Sequence, residues 1–74
     1  MVQSELEQEI KLNVIRGKIK EHNMTNNGFA QKIGMGVTSF SLKLNGKREF
    51  TASEISRIAN ELKVPVQIFF KNNV

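Results

Sequence analysis

A chain of 74 residues with no cysteine has one route to a stable fold, a single core closed by packing alone. A domain this short buries about 60% of its unfolded surface, which leaves too little apolar material for two cores. Neither a disulfide framework nor a thiolate metal site can staple it. The apolar residues must therefore recur on shared faces, and their spacing predicts the elements.

Ser4 followed by Glu7 has the spacing of a capping box, and Leu6, Ile10, Val14 or Ile15, and Ile19 recur at three to five residues. Together they predict an amphipathic helix over 5–22. Gly17 lies inside it and marks either a close helix contact or a weak point. Asn27-Gly28 is a hairpin dipeptide, but no alternating strand pattern flanks it. Thr25 is a better N-cap for a short helix over 26–33 with Phe29, Ala30 and Ile33 on its apolar face. Gly34-Met35-Gly36 redirects the chain into a helix over 37–44, which carries Phe40 and Leu44 one turn apart and ends at Asn45-Gly46. Lys47-Arg48-Glu49 reads as an exposed loop. Thr51 with Glu54 opens a helix over 52–62 whose inner face is Ile55, Ile58, Ala59 and Leu62, and Pro65 starts a last short helix over 65–70. The expectation is an all-α domain over 1–74, a bundle of five short helices without repeats or low-complexity tracts.

Charge is unevenly placed along this framework. The net charge is +4. Residues 1–23 balance Lys11, Arg16, Lys18 and Lys20 against Glu5, Glu7, Glu9 and Glu21, whereas residues 24–50 set Lys32, Lys43, Lys47 and Arg48 against Glu49 alone. The middle of the chain thus carries +3, a distribution that favours a polyanionic partner. Catalysis requires convergent titratable groups, and one histidine with no cysteine argues against an enzyme. His22 has no ligating neighbours in sequence, so a helix C-terminus is its better reading, and neither a metal nor a cofactor is expected. No apolar run reaches the length of a membrane span and the N-terminus is not laid out as a signal peptide, which gives a cytoplasmic expectation and no membrane partner.

The segment from Met24 to Gly46 strongly resembles the helix-turn-helix of the lambda-repressor-like (XRE) family. In that family an alanine lets the second helix cross closely, a glycine four residues later makes the turn, and an apolar residue six further on locks the second helix inward. Ala30, Gly34 and Phe40 stand at those positions, supported by Phe29, Ile33 and Met35. The match continues through Asn45-Gly46 to Glu54-Ile55, Ile58-Ala59, Leu62, Val64 and Phe69, so it covers residues 12–70.

The resemblance implies that helix 37–44 enters the DNA major groove, with Val37, Thr38 and Ser41 at base edges and Leu42 close behind. Hydroxyls can donate or accept there, and Val37 and Leu42 can pack on thymine methyl groups. Asn26 matches a position where the family usually has a glutamine that clamps a phosphate. Thr25, Ser39, Lys43, Asn45, Lys47 and Arg48 are the other phosphate candidates, whereas Lys32 and Lys63 read as solvated. Three features depart from the pattern. Lys43 replaces an apolar residue, Gly28 replaces a helix former, and the reading face has no Gln, Asn or Arg for bidentate base contacts.

The implied function is a transcriptional regulator of the bacteriophage repressor or Cro type, binding double-stranded DNA as a homodimer on half-sites about 34 Å apart in the bacterial host cytosol. Val66, Ile68, Phe69 and Phe70 form a candidate dimer patch, opposed by the reading that all four close the core. The alternative is an antirepressor-like module that uses the same surface to bind another phage regulator. A third reading takes the chain as the DNA-binding part of a longer repressor.

Overall fold

The computed structural model describes residues 10–71, and within them the fold is all-helical. Four α-helices follow one another: α1 over Leu12–Glu21, α2 over Asn26–Lys32, α3 over Val37–Leu44 and α4 over Ala52–Leu62, with a 3-10 helix over Val66–Phe69 after them. Two of the starts are fixed by local capping. Thr25 Oγ1 accepts the Gly28 N–H at 3.0 Å. At α4 the box is reciprocal, with Thr51 Oγ1 accepting from Glu54 N–H and Glu54 Oε1 accepting from Thr51 N–H.

All four α-helices end in the same Schellman arrangement, in which one left-handed residue turns the chain and its own amide and the next return to the last helical carbonyls. Asn23 (φ 58°), Gly34 (φ 78°), Gly46 (φ 80°) and Lys63 (φ 59°) are those left-handed residues. The following residue donates to the carbonyl five back in each case: Met24 to Ile19 O, Met35 to Ala30 O, Lys47 to Leu42 O and Val64 to Ala59 O. Met24, Met35 and Val64 also turn their side chains onto the core, so the stop signal and the packing of the next segment are one event.

The core is built from every helix. Ile15 and Ile19 of α1, Phe29 and Ala30 of α2, Phe40 and Leu44 of α3, Ile55, Ile58, Ala59 and Leu62 of α4, and Phe69 are buried, with Ile33 and Met35 from the turn between α2 and α3. Among the described residues no buried one is polar or charged. Phe40 is the hinge of an aromatic row, its ring centroid 5.8 Å from Phe29 and 5.8 Å from Phe50, the second contact edge-on.

Two boundaries differ from the sequence expectation. The helix expected over 5–22 begins at Leu12, because Ile10 is extended and forms an isolated antiparallel bridge with Phe70, and Lys11 donates its N–H to Phe69 O at 2.7 Å. Ser4, Leu6 and Glu7 lie outside the described residues. The last helix is one 3-10 turn over Val66–Phe69, with Pro65 before it at ψ 141° rather than inside it. The fifth helical element is therefore not an α-helix.

Candidate nucleic-acid interface

The unit formed by α2, the residues 33–36 and α3 is held from both ends. Inside, Ala30 is fully buried, and the absence of a larger side chain there lets α2 and α3 meet with Phe29 and Phe40 in contact. Outside, two arginines reach in from the flanking helices. Arg57 of α4 donates from Nη1 to Ile33 O at 2.9 Å, capping α2. Arg16 of α1 donates from Nη2 to Leu44 O at 2.9 Å and to Asn45 Oδ1 at 2.8 Å, capping α3. Both place a guanidinium on the negative end of a helix dipole. Sequence reasoning singled out neither arginine, since each acts on a carbonyl 24 or 28 residues away.

With Phe40 and Leu44 facing inward, the remaining side chains of α3 fall on an open surface. Thr38 and Ser41 are exposed and Ser39 is half-buried. Val37 and Leu42, paired in the sequence reading, separate here: both are half-buried, but Val37 packs on the core while Leu42 does not. At the start of α2, Asn26 is exposed, and the Thr25 hydroxyl keeps its proton for an outside acceptor while accepting from Gly28. Asn45 is exposed, with its side-chain oxygen accepting from Arg16, which leaves its amide nitrogen as a donor. Lys47 and Arg48 are exposed in the loop after α3, and no side-chain partner engages them among the described residues.

Lys43 behaves differently from the other phosphate candidates. Its ammonium lies 2.7 and 2.8 Å from the two carboxylate oxygens of Glu54, with side chains 12% and 17% exposed. Burial alone would raise the Glu54 carboxyl. The Lys43 hydrogen bonds and charge, with the Thr51 N–H, outweigh it and hold the carboxyl below its ordinary value.

The charge of the central segment is thereby redistributed. Glu54 and Glu61 of α4 come to Lys43 and Lys32, the second pair at 3.7 Å on the surface, while Arg16 and Arg57 bring two cations to the helix ends. The local excess of positive charge survives, but its unpaired part moves to the ends of α2 and α3 and to Lys47 and Arg48.

The apolar C-terminal cluster divides. Phe69 is fully buried and belongs to the core, which removes it from the candidate dimer patch. Val66, Ile68 and Phe70 pack on that core and stay half-exposed. His22 is exposed at the end of α1. Among the described residues no three or more His, Cys, Asp or Glu side chains cluster as a metal site would require, and no helix is long and apolar enough to cross a membrane. No family model, curated protein or solved structure matches the chain.

Proposed function

We propose that this domain is a sequence-specific DNA-binding transcriptional regulator of the repressor or Cro type, with α3 as the helix that enters the major groove. The observation that carries the reading is the isolation of α3. Its inner face is fixed by Leu44 and by Phe40 against Phe29, and its C-terminal end is tied down by Arg16, while Thr38 and Ser41 are exposed and the half-buried Leu42 stays off the core. A helix presented in this way fits a groove about 12 Å wide. The exposed Thr25, Asn26, Asn45, Lys47 and Arg48 and the half-buried Ser39 surround it with groups suited to phosphates. The resemblance to the XRE family supports the same assignment, and the half-exposed Val66, Ile68 and Phe70 support association of two copies on a two-fold operator.

Fluorescence anisotropy against duplex fragments from upstream of the gene, titrated over about 50–200 mM salt, tests the reading. Tight binding to one fragment with a steep salt slope is expected. Thr38→Ala then relaxes sequence preference, whereas Lys47→Ala weakens all duplexes and flattens the slope by about one unit. Equal effects of both variants on every duplex would remove the base-reading role of Thr38.

Leu42 favours one competing reading, a protein-binding module of antirepressor type, because an aliphatic side chain in the open face of α3 suits a protein groove as well as a thymine methyl group. Binding no stronger than about 10–100 µM to every fragment, with capture of another regulator in a pull-down that Leu42→Ser abolishes, would decide for it.

A further inference from the structure

The only cation on α3 is Lys43, and it is not available to solvent on the terms of Lys47 or Arg48. Successive residues of a helix step by about 100°, so with Phe40 and Leu44 inward, Thr38 and Leu42 point away from the core and Lys43 lies on the flank toward α4. A helix about 10–12 Å across fills a groove about 12 Å wide, which sets its flanks against the phosphate walls. A lysine on that flank is placed to contact backbone phosphate. Here both carboxylate oxygens of Glu54 hold it instead, and Glu54 is itself fixed by the Thr51 N–H of the α4 cap, which keeps the acceptor from following the ammonium outward.

We infer that Glu54 is a positioning residue that withholds the Lys43 ammonium from the DNA backbone, so that α3 enters the groove with a neutral flank. The inference rests on the DNA-binding reading above. Its consequence is a weaker hold on the backbone. A phosphate contact strengthens binding to every sequence alike, so withholding one lowers affinity for all duplexes together and leaves the ratio between them to the hydroxyl and methyl contacts of α3. The departure of Lys43 from the apolar residue usual at its position is then compensated by Glu54, which serves as N3 acceptor of the α4 capping box and as counter-ion at once.

The test is the salt dependence of binding to a random-sequence duplex and to the best upstream fragment, measured by anisotropy. Glu54→Gln keeps an acceptor for the Thr51 N–H and removes the counter-ion. It is expected to steepen the slope of log K against log salt by about 0.9 on both duplexes, and to strengthen binding to both by the same factor. Glu21→Gln, an equal change of net charge on the exposed end of α1, is expected to leave the slope near wild type. The double variant Lys43→Met/Glu54→Gln returns it to wild type. Lys43→Met alone, in a protein that keeps Glu54, leaves the slope unchanged because the ammonium makes no phosphate contact to lose. An unchanged slope in Glu54→Gln, an equal steepening in Glu21→Gln, or a loss of about 0.9 in Lys43→Met overturns the inference while leaving DNA binding intact. Absence of wild-type binding to any duplex at low salt overturns the DNA-binding reading itself, and this inference with it.

Discussion

Gly17 and Lys63 are each in the place that suits the other. Gly17 is exposed in the middle of α1, and a Cβ built there meets nothing within 4 Å. The two readings its sequence position allowed are thus resolved: no close helix contact requires it, and it only weakens α1. Gly17→Ala is expected to raise stability by about 0.5–1 kcal/mol in urea denaturation, with binding unchanged. Lys63, by contrast, holds φ 59° at the Schellman turn of α4, where an L side chain costs about 1–2 kcal/mol relative to glycine. Lys63→Gly is expected to gain about 0.5 kcal/mol net, after the larger entropy of glycine in the unfolded chain. A fall in the urea midpoint for either variant would contradict the assignment. The left-handed role of Gly46 was legible because Asn-Gly is a stop signal, though the structure gives it to the glycine and leaves Asn45 at φ −92°. Nothing in the sequence marks Lys63, since a left-handed lysine is imposed by what Val64 buries.

The ends of elements carry the rest of the site. Arg16→Met and Arg57→Met each keep an apolar stem but leave a helix-terminal carbonyl without its charged donor, and each is expected to cost about 1–2 kcal/mol in thermal unfolding. If α3 reads DNA, Arg16→Met also weakens binding to every duplex by freeing the phosphate candidate Asn45, an effect visible by anisotropy. A third expectation concerns acid. The Glu54 carboxyl titrates lower in the folded protein than in the unfolded chain, so its contribution is complete above the ordinary carboxylate pKa and is lost as pH falls through its depressed folded value. Unfolding midpoints followed from pH 6 to pH 2 are therefore expected to fall less steeply for Glu54→Gln than for wild type. Local devices were readable in advance: Thr25 and the Thr51–Glu54 box act within three residues, and the structure forms both. The arginine caps and the Lys43–Glu54 pair were not, because one-dimensional spacing says nothing of a partner 11 to 28 residues away. The sequence periodicity also counted Ile10 as helical, since an apolar residue four before Val14 looks the same whether a helix or an extended segment delivers it to the core.

At the scale of the molecule the fold depends on Phe69. It is the fully buried side chain of the final 3-10 turn, which packs against both α1 and α4. Phe69→Ala is expected to cost about 3–5 kcal/mol, comparable to the whole stability of a domain of this size, and to leave the protein largely unfolded at 37 °C by circular dichroism. The inner faces of α2, α3 and α4 were legible from periodicity alone, as Phe29, Phe40, Leu44, Ile55, Ile58 and Leu62 show. The apolar terminal cluster was not separable into core and surface, because four residues with one proline before them fix no periodicity.

The bridge between Ile10 and Phe70 makes the described chain a nearly closed ring, its two ends side by side and sealed by the short Lys11 to Phe69 hydrogen bond. Tension applied through those ends does not shear the bundle along its helices. It unzips the junction, one contact at a time, and peels α1 and the 3-10 turn from the core before α2 and α3 carry any load. A domain closed in this way yields to a small pull in a single-molecule stretching experiment, and the helix pair that faces outward is the last part of it to feel the force.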